Sequence, residues 1–448
     1  MENETNSNAA VRGKTIRALT VILAALVIAV ASFFAGFFIK GCSQDAQIRS
    51  MQWMLDTIED NYFFYDDFDA DAAKNLSLYA IASKLDRYSE YYTKEQYQAQ
   101  LRDNSGEKSG VGVSYSFVGG KGVLLNTVVG NSPADKAGLR AGDYLVGGEK
   151  NGQSVTFNSA EDFPAFIDGY STGERFVLKT ADGEFTLSKE IYTASYAFFA
   201  TSETSWEAVP SADGKGLPLI EDRDGAIDFL PEGTGYIKVS QFYGTAADEF
   251  GLLMKKFNSY NCTSLILDLR NNGGGYVSLM QDIAGYFVSS LTSKTSVAMT
   301  AEYKNGKREV YNCYKHGDGL VPADTEIYVM ANSGTASASE ALIGVLVSYG
   351  LLDYKNIFVS DYSAEYLEWA GAGAKTAQTY GKGIMQTTFV NHFTGEALKL
   401  TTARICWPNG KCIHDVALSK SDGCTPVPAE WTVTRDDAEL RKVADIIG

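Results

Sequence analysis

The sequence predicts a multi-domain α+β protein, and three regions with different residue patterns predict it. Residues 45–105 repeat apolar residues at three- and four-residue spacing, as helices do. Residues 106–192 contain short β runs between Gly- and Asn-rich turns, and residues 193–448 alternate apolar strands with helical segments. We therefore expect a helical region, a small β module and an α/β core around a largely parallel or mixed sheet. A chain of 448 residues has room for this organisation.

The N-terminus predicts a membrane anchor. Residues 18–39 include no charged side chain, and a helix of that length spans ~33 Å, enough for the ~30 Å hydrocarbon core. Arg12, Lys14 and Arg17 come just before it, so the positive-inside rule keeps residues 1–17 in the cytoplasm and exports the rest. A removed signal peptide or a lipid-modified Cys42 are the alternatives. The first is disfavoured because the apolar run exceeds the usual ~7–15 residues.

Composition and charge restrict the partners. The chain has 39 Lys and Arg against 55 Asp and Glu, a formal net charge of −16. A phosphate backbone would repel such an anion, so nucleic-acid binding is not expected. Six Cys and three His are too few and too scattered for a disulfide framework or a zinc site, and we predict no metal.

The regular elements of the second and third regions follow from local pattern. The β module should contain strands at 112–117, 122–129, 144–147 and 175–179 and a helix near 160–167. Three prolines make residues 203–234 a loop-rich linker or insertion. The core should then alternate strands and helices, namely strand 235–242, helix 246–257, strand 264–269, helix 278–287, strand 326–331 and a helix beginning near Ala338.

The turn after strand 326–331 holds the first candidate for chemistry. Residues 332–340 read Asn-Ser-Gly-Thr-Ala-Ser-Ala-Ser-Glu, a run of small residues between a strand and a helix. A serine hydroxyl at a helix N-terminus has free backbone N–H groups nearby, which can stabilise an oxyanion. Helix capping is the alternative, because Ser, Thr and Asn are the usual capping residues.

Two further segments could contribute. Residues 265–275 end a buried strand in three consecutive glycines, which can aim N–H groups at a carbonyl oxygen, although a tight turn without a ligand is the alternative. Lys382 and Gln386 are four residues apart and share a face. A general-base lysine needs burial that lowers its pKa by ~3 units, and the alternative is an ordinary surface lysine. The histidines His316, His392 and His414 lie in no triad signature.

Taken together and in order, these segments resemble the carboxyl-terminal processing peptidases, also called tail-specific proteases, over about residues 46–435. The segments that carry the resemblance are Leu85-Asp-Arg-Tyr-Ser89, Gly110-Val-Gly-Val113, the Asn131–Asp143 segment, Gly235-Tyr-Ile-Lys-Val239, Asp268-Leu-Arg-Asn-Asn-Gly-Gly-Gly275, Thr335-Ala-Ser-Ala-Ser-Glu340, Gly381-Lys-Gly-Ile-Met-Gln386, Leu400-Thr-Thr-Ala-Arg404 and the Pro408–His414 segment.

The resemblance implies a crotonase-like core that works as a serine endopeptidase with a Ser/Lys dyad and no cofactor. It assigns Ser337 as the nucleophile, Lys382 as the general base and Gln386 as the residue that orients the base. It further implies an oxyanion hole built from N–H groups of Ala338, Gly274 and Gly275. The expected partner is a protein or peptide with a free C-terminus, which an acyl-enzyme mechanism would cleave near that end.

The resemblance also implies that residues 106–192 form a PDZ-like domain. Its carboxylate-binding loop would be formed by Gly110, Val111, Gly112 and Val113, while the substrate tail adds a β-strand. An ordinary β-turn before a strand is the alternative. Whether this module activates or inhibits the peptidase is left open by the sequence, as is a homo-oligomer.

Two insertions depart from the family pattern, near residues 203–234 and 361–378. The second one lengthens the separation of Ser337 and Lys382 to 45 residues. A catalytically inactive PDZ scaffold on the same fold is the main alternative function, and acyl-CoA chemistry on the same core fold is a remote one. Cys406 and Cys412 flank a predicted hairpin tip, where a free pair is the default expectation and an export-side disulfide is the alternative.

Overall fold

The computed structural model describes residues 46–61, 69–150, 152–210, 218–223, 225–289, 291, 296–370, 375–430 and 437–448. Among the helices of these residues, none is both long enough and apolar enough to cross a membrane. The span predicted at 18–39 lies outside the described residues. The described chain divides into two compact units, one ending at Ile81 and the other covering Ala82–Gly448.

Apart from its turns, the described part of the N-terminal region (46–61 and 69–105) is helical with one exception. Its helices are α1 (Ala46–Asn61), α2 (Ala70–Ala82) and α3 (Lys94–Asn104). The exception is the short strand β1 (Glu90–Tyr92), which forms an antiparallel ladder with residues 397–399. The helical prediction for 45–105 was therefore wrong at these three residues, because a distant strand supplies their hydrogen bonds.

Residues 107–193 form a small β domain with a hydrophobic core of its own, which includes Leu125, Leu145 and Phe166. It has three sheets, ordered β3-β4-β5, β7-β6-β8-β9 and β10-β2. Its elements are β2 (Glu107–Gly110), β3 (Val113–Val118), β4 (Gly122–Val128), α4 (Pro133–Lys136), β5 (Tyr144–Leu145), β6 (Gly147–Lys150), β7 (Gln153–Thr156), α5 (Asp162–Asp168), β8 (Arg175–Lys179), β9 (Glu184–Ser188) and β10 (Glu190–Thr193).

The remaining residues build an α/β core around a mixed sheet of eight strands in the order β13-β12-β11-β14-β15-β18-β19-β22. The strands from β14 to β22 run parallel, and the others are antiparallel. They are β11 (Ala197–Ala200), β12 (Ser205–Val209), β13 (Leu219–Arg223), β14 (Thr234–Val239), β15 (Ser264–Asp268), β18 (Glu326–Ala331), β19 (Ile357–Tyr362) and β22 (Thr425–Ala429).

A second sheet joins β1 to four strands of the core in the order β1-β21-β16-β17, with β20 paired to β21. These strands are β16 (Val297–Tyr303), β17 (Arg308–Asn312), β20 (Ile384–Val390) and β21 (Ala397–Cys406). The helices of the core are α6 (Ala246–Ser259), α7 (Val277–Val288), α8 (Ala338–Ser348), α9 (Ala364–Ala370) and α10 (Ala438–Ile447), with short 3-10 turns at Tyr354–Asn356 and Lys420–Asp422.

The strand–helix alternation predicted from Gly235 onward is confirmed, but the loop-rich interpretation of 203–234 was wrong in part. Strands β12 and β13 lie within this stretch and extend the large sheet at its antiparallel edge. Their pairing depends on a neighbouring strand that the local proline content does not reveal.

The packing of the core brings two turns together where the parallel strands of the large sheet end, and the candidate site lies there. Helices α6, α7 and α8 share one hydrophobic core with the sheet, in which Phe250, Leu267 and Leu342 are fully buried. Burial of each such side chain stabilises the fold by roughly 1.5–3 kcal/mol. Because β14, β15 and β18 are parallel neighbours, their carboxyl ends meet at the same edge. The turns at 269–276 and 332–337 lie at this edge.

Candidate active site

The two turns are fastened to each other by side-chain and backbone hydrogen bonds. Asn332 Oδ1 accepts the N–H groups of Asn271 and Gly334, each at 2.9 Å. The Thr335 hydroxyl donates to the Leu269 carbonyl at 2.8 Å. The carbonyl of Asn272 accepts the Ala336 N–H at 3.0 Å and the Ser339 hydroxyl at 2.8 Å. Four of these five hydrogen bonds join the serine turn to the glycine turn, and the Gly334 bond lies within the serine turn.

Ser337 is the partly exposed member of a buried run. Residues 335–346 are otherwise all buried, so the chain presents Ser337 alone from the start of α8. Its backbone has φ +60°, a region that non-glycine residues rarely adopt and that often marks functional sites. The predicted position of this serine, at the N-terminus of a helix after a strand, is what the structure has.

The glycine turn lies so close to Ser337 that Gly274 has no room for a side chain. A Cβ atom on Gly274 would lie 2.9 Å from Ser337 Cβ and 3.0 Å from the Ala338 nitrogen. The N–H of Gly274, however, donates to Asn272 Oδ1 at 3.0 Å. The predicted oxyanion residues Ala338 and Gly274 are therefore together, but the Gly274 N–H already has a partner within its own turn. Gly275 pairs in a parallel bridge with Phe242.

Glu340 connects Ser337 to the segment that carries Lys382. Its side chain is fully buried. Oε2 accepts the Ser337 N–H at 3.0 Å and the Lys382 N–H at 2.9 Å. Oε1 accepts the Thr379 hydroxyl at 2.6 Å and the Gly381 N–H at 2.8 Å. Burial raises the pKa of Glu340, while these four hydrogen bonds oppose the increase.

Lys382 is half-buried, and its amine lies against an aromatic ring. Lys382 Nζ is 4.6 Å from the centre of the Tyr88 ring. Tyr88 belongs to the Leu85-Asp-Arg-Tyr-Ser89 segment, one of those that carry the family resemblance. The Tyr88 hydroxyl bonds to the Tyr380 hydroxyl at 3.0 Å. Burial lowers the pKa of Lys382, helped by the positive charges of Lys399 and Arg87 and opposed by Glu340 and Asp86. A lowered pKa is the direction of shift that a general-base lysine needs.

The side chains of Ser337 and Lys382 are not hydrogen-bonded to each other among the described residues, although their backbones are held side by side. Gln386 likewise differs from the prediction, since its amide donates to Thr401 Oγ1 at 3.1 Å. Thr401 in turn donates to Asp86 Oδ1 at 3.0 Å. A register shift between Met385 and Gln386 lies at this point of the β20–β21 ladder. Gln386 therefore supports the N-terminal segment that carries Tyr88.

The predicted carboxylate-binding loop connects β2 to β3 in the small domain. Gly110 and Gly112 have φ values of +125° and +83°, and Val111 is buried. A Cβ atom on Gly112 would lie 2.2 Å from Ser132 Cβ, so only glycine fits there. The Val111 carbonyl accepts the Ala134 N–H at 3.0 Å, and the Gly112 carbonyl accepts the Val129 N–H at 2.8 Å. Val113 begins β3.

Sequence reasoning missed two residues of this site. Glu340 follows Ser337 by three positions, which is the spacing of a capping box, so its contact with the Ser337 N–H could have been predicted. Its bonds to Gly381 and Lys382 could not, because they join distant segments. Tyr88 lies in a segment that the sequence singled out, but nothing in the pattern indicates that its ring covers Lys382.

Chemically, the site combines an accessible hydroxyl at a helix N-terminus, an amine with a lowered pKa and a glycine turn beside the hydroxyl. These are the parts of a nucleophilic hydrolase that uses an amine as its base. The fold and the residue types thus fit a serine hydrolase built on a mixed α/β sheet.

Comparison with known proteins identifies the family. Residues 233–353, which include Gly274, Gly275, Ser337 and Ala338, match the model of peptidase family S41. The chain therefore carries a domain of peptidase family S41, and the family expected from the sequence is confirmed.

Named relatives agree with this family. The chain is 26% identical to the "C-terminal processing peptidase, chloroplastic" of Tetradesmus obliquus over 75% of this chain and 64% of the relative. It is 24% identical to a "Probable CtpA-like serine protease" of Staphylococcus aureus over 92% of this chain and 73% of the relative. The chain thus covers less than two thirds of the length of the Tetradesmus obliquus relative.

A solved structure from Bacteroides fragilis, titled as a candidate S41 protease, shares the fold. It covers 88% of this chain and 96% of its own, with a TM-score of 0.54 and 15% sequence identity. This likeness supports the mixed α/β fold.

Proposed function

We propose that the chain is a serine endopeptidase that cleaves protein substrates near their C-terminus, with Ser337 as nucleophile and Lys382 as general base. The observation that carries the proposal is the shared acceptor Glu340 Oε2, which holds the backbones of both residues side by side. Family membership of residues 233–353 supports the same reaction class.

In this mechanism the neutral Lys382 amine takes the proton of the Ser337 hydroxyl as the oxygen attacks a peptide carbonyl. The Ala338 N–H, at the first turn of α8, and the Gly275 N–H stabilise the oxyanion, and the protonated amine then gives its proton to the leaving peptide nitrogen. Water hydrolyses the acyl-enzyme with Lys382 again as base. Since the amine lies against Tyr88 in this structure, the proposal requires it to turn to the hydroxyl when substrate binds.

A removal experiment tests this assignment. Ser337→Ala and Lys382→Ala should each lower the cleavage of an unfolded protein with an apolar C-terminal tail by more than about 1,000-fold, because each removes a reacting group. Ser333→Ala, in the same turn, and Lys355→Ala, at an exposed site, are matched controls that should cleave normally. Turnover close to wild type in either Ser337→Ala or Lys382→Ala would reject the dyad.

We also propose that the small β domain is PDZ-like and that Gly110, Val111, Gly112 and Val113 bind the substrate's terminal carboxylate. The positive φ values of Gly110 and Gly112 support this, since such turns can expose successive N–H groups to an anion. A substrate with an amidated C-terminus should show a KM raised at least tenfold with little change in kcat. Equal KM values for free and amidated tails would argue against a carboxylate site.

Finally, we propose that residues 18–39 anchor the enzyme in the cell membrane, with the catalytic part outside the cytoplasm. The charge-free run and the preceding Arg12, Lys14 and Arg17 support this topology. The full-length chain should remain in membranes after alkaline carbonate washing, whereas a chain starting at residue 41 should be released. Release of both would contradict the anchor.

The inactive-scaffold alternative has no supporting feature among the described residues.

A further inference from the structure

The hairpin that follows β21 brings two thiols together. Cys406 and Cys412 pair as an antiparallel bridge. The Trp407 N–H donates to the Lys411 carbonyl at 2.9 Å just inside this pair. That hydrogen bond makes Cys406 and Cys412 a non-hydrogen-bonded cross-strand pair, in which Cα atoms are about 4.5 Å apart and side chains point to the same face. This separation lies within the range that disulfides span.

The two thiols interact directly and neither is fully enclosed. The Cys406 thiol hydrogen-bonds to Cys412, and burial together with this neighbour raises the pKa of Cys406 to about 11. Both residues are half-buried, whereas Cys262, Cys313 and Cys424 are buried. A small disulfide reagent can therefore reach this pair more readily than the other described cysteines.

The two sides of this hairpin hold the backbone before and after Lys382. The Ile405 N–H, next to Cys406, donates to the Gly383 carbonyl at 2.8 Å. On the other side of the hairpin, the Asp415 N–H donates to the Gly381 carbonyl at 2.9 Å. The hairpin also reaches the serine helix, since the buried ring of Trp407 fills the space where a Cβ on Gly344 would be.

From this geometry we infer that Cys406 and Cys412 form a dithiol–disulfide site that fastens together the two sides of the hairpin, which hold Gly381 and Gly383 and with them Lys382. The oxidant belongs to the class of small or protein disulfides. One thiolate attacks the oxidant's sulfur, forming a mixed disulfide and releasing one thiol. The second cysteine loses its proton and attacks that mixed disulfide, so the new S–S bond forms as the second oxidant thiol leaves. Two thiols lose two electrons and two protons, and the oxidant becomes two thiols.

A peptide map tests the bond without any assay of peptidase activity. Purified full-length protein is equilibrated with excess oxidised glutathione or with dithiothreitol, alkylated and digested with trypsin, which cuts after Arg404, Lys411 and Lys420. The oxidised sample should give peptides 405–411 and 412–420 joined as one species that reduction separates. Recovery of both peptides as separate alkylated or glutathione-bound species would overturn the site.

Stability and hydrogen exchange test the link to Lys382. Because a disulfide closing a loop of about seven residues restricts the unfolded chain, oxidation should raise Tm by about 3 °C. The amides of Ile405 and Asp415 should exchange about tenfold more slowly in the oxidised form. The Cys406→Ser/Cys412→Ser double variant is the matched control and should respond to neither reagent. A cross-linked protein with unchanged exchange at both amides would overturn the inferred fastening of the Lys382 segment.

Discussion

Ser337 and Lys382 donate their backbone N–H groups to one oxygen atom, Oε2 of Glu340. With donor distances of 3.0 and 2.9 Å, the two nitrogens cannot be more than about 6 Å apart. The buried carboxylate therefore fixes where the proposed nucleophile and the proposed base leave the backbone. We regard Glu340 as a positioning residue, since it contacts both partners through their main chains.

Replacing Glu340 tests this role. In Glu340→Gln one of the two oxygens becomes an NH2 group, which cannot accept hydrogen bonds. Whichever oxygen is replaced, two buried donors lose their acceptor, either the two N–H groups at Oε2 or the two donors at Oε1. We expect kcat/KM to fall by at least about 100-fold, and the free energy of unfolding to fall by about 1–3 kcal/mol because buried donors lose their acceptor. Steady-state kinetics and urea unfolding measure the two effects.

Glu249 offers a matched control for that substitution. It is equally buried and accepts the N–H groups of Tyr196 and Ala197 at 2.6 and 2.8 Å, on a different helix. Glu249→Gln should lose a comparable amount of stability, yet its folded fraction should keep kcat within about threefold of wild type. If both variants lose activity in proportion to stability alone, Glu340 has no positioning role.

The glycine turn allows a second matched pair of substitutions. A Cβ on Gly274 would lie 2.9 Å from Ser337 Cβ and from the Ala336 carbonyl, at a φ of +100°. Gly274→Ala should therefore displace Ser337 and lower kcat by at least about 100-fold. A Cβ on Gly273 would meet nothing within 4 Å, so Gly273→Ala should leave kcat nearly unchanged. Equal activity of the two variants would show that the close approach of the turns does not matter.

The ring of Tyr88 predicts a pH effect. Since burial lowers the pKa of Lys382 and the neutral amine is the active form, kcat/KM should rise with pH through that lowered pKa. In Tyr88→Ala water reaches the ammonium, its pKa moves back toward 10.5, and the rising limb should move to higher pH. Loss of the cation–π contact acts in the opposite direction, and we expect the restored access of water to outweigh it.

Tyr88→Phe is the control for the pH profile. It keeps the ring over Lys382 Nζ and removes the hydroxyl's bonds to the Tyr380 hydroxyl and to Arg87. Its rising limb should stay close to that of wild type. A limb that moves equally in the Phe and Ala variants would mean that the hydroxyl, rather than coverage by the ring, sets the pKa.

The same pKa shift predicts a pH-dependent stability. Between the lowered pKa of folded Lys382 and the ordinary value of 10.5, the unfolded chain binds more protons, so wild-type stability rises with pH in this window. Lys382→Met removes the buried ammonium. Its free energy of unfolding should exceed that of wild type most at neutral pH, and the gain should shrink toward pH 10.5. Urea unfolding at several pH values measures this, with the exposed Lys355→Met as control. A gain that does not change with pH would contradict the assigned burial of charge.

Local sequence patterns predicted much of the core. The strand Glu326–Ala331 and the start of the next helix at Ala338 agree with the structure, because strong apolar periodicity and a small-residue turn mark both. Strands Glu90–Tyr92 and Ser205–Val209 were missed, since each depends on pairing with a distant partner.

The site was predictable in its residue types and less so in its contacts. Ser337 lies at a helix N-terminus and Lys382 is partly buried, as expected. The hydrogen-bond partners of Gly274 and Gln386 were not predicted, because Asn272 and Thr401 accept their N–H groups only in the folded chain. The anchor predicted at 18–39 stays a prediction.

Covalent labelling of Ser337 tests the central claim most directly. The wild-type enzyme treated with a serine-reactive fluorophosphonate should gain one adduct, located at Ser337 by peptide mapping, and Lys382→Ala should label at least about 100-fold more slowly. Labelling at another serine, or an equal rate in the Lys382→Ala variant, would contradict a dyad of Ser337 and Lys382.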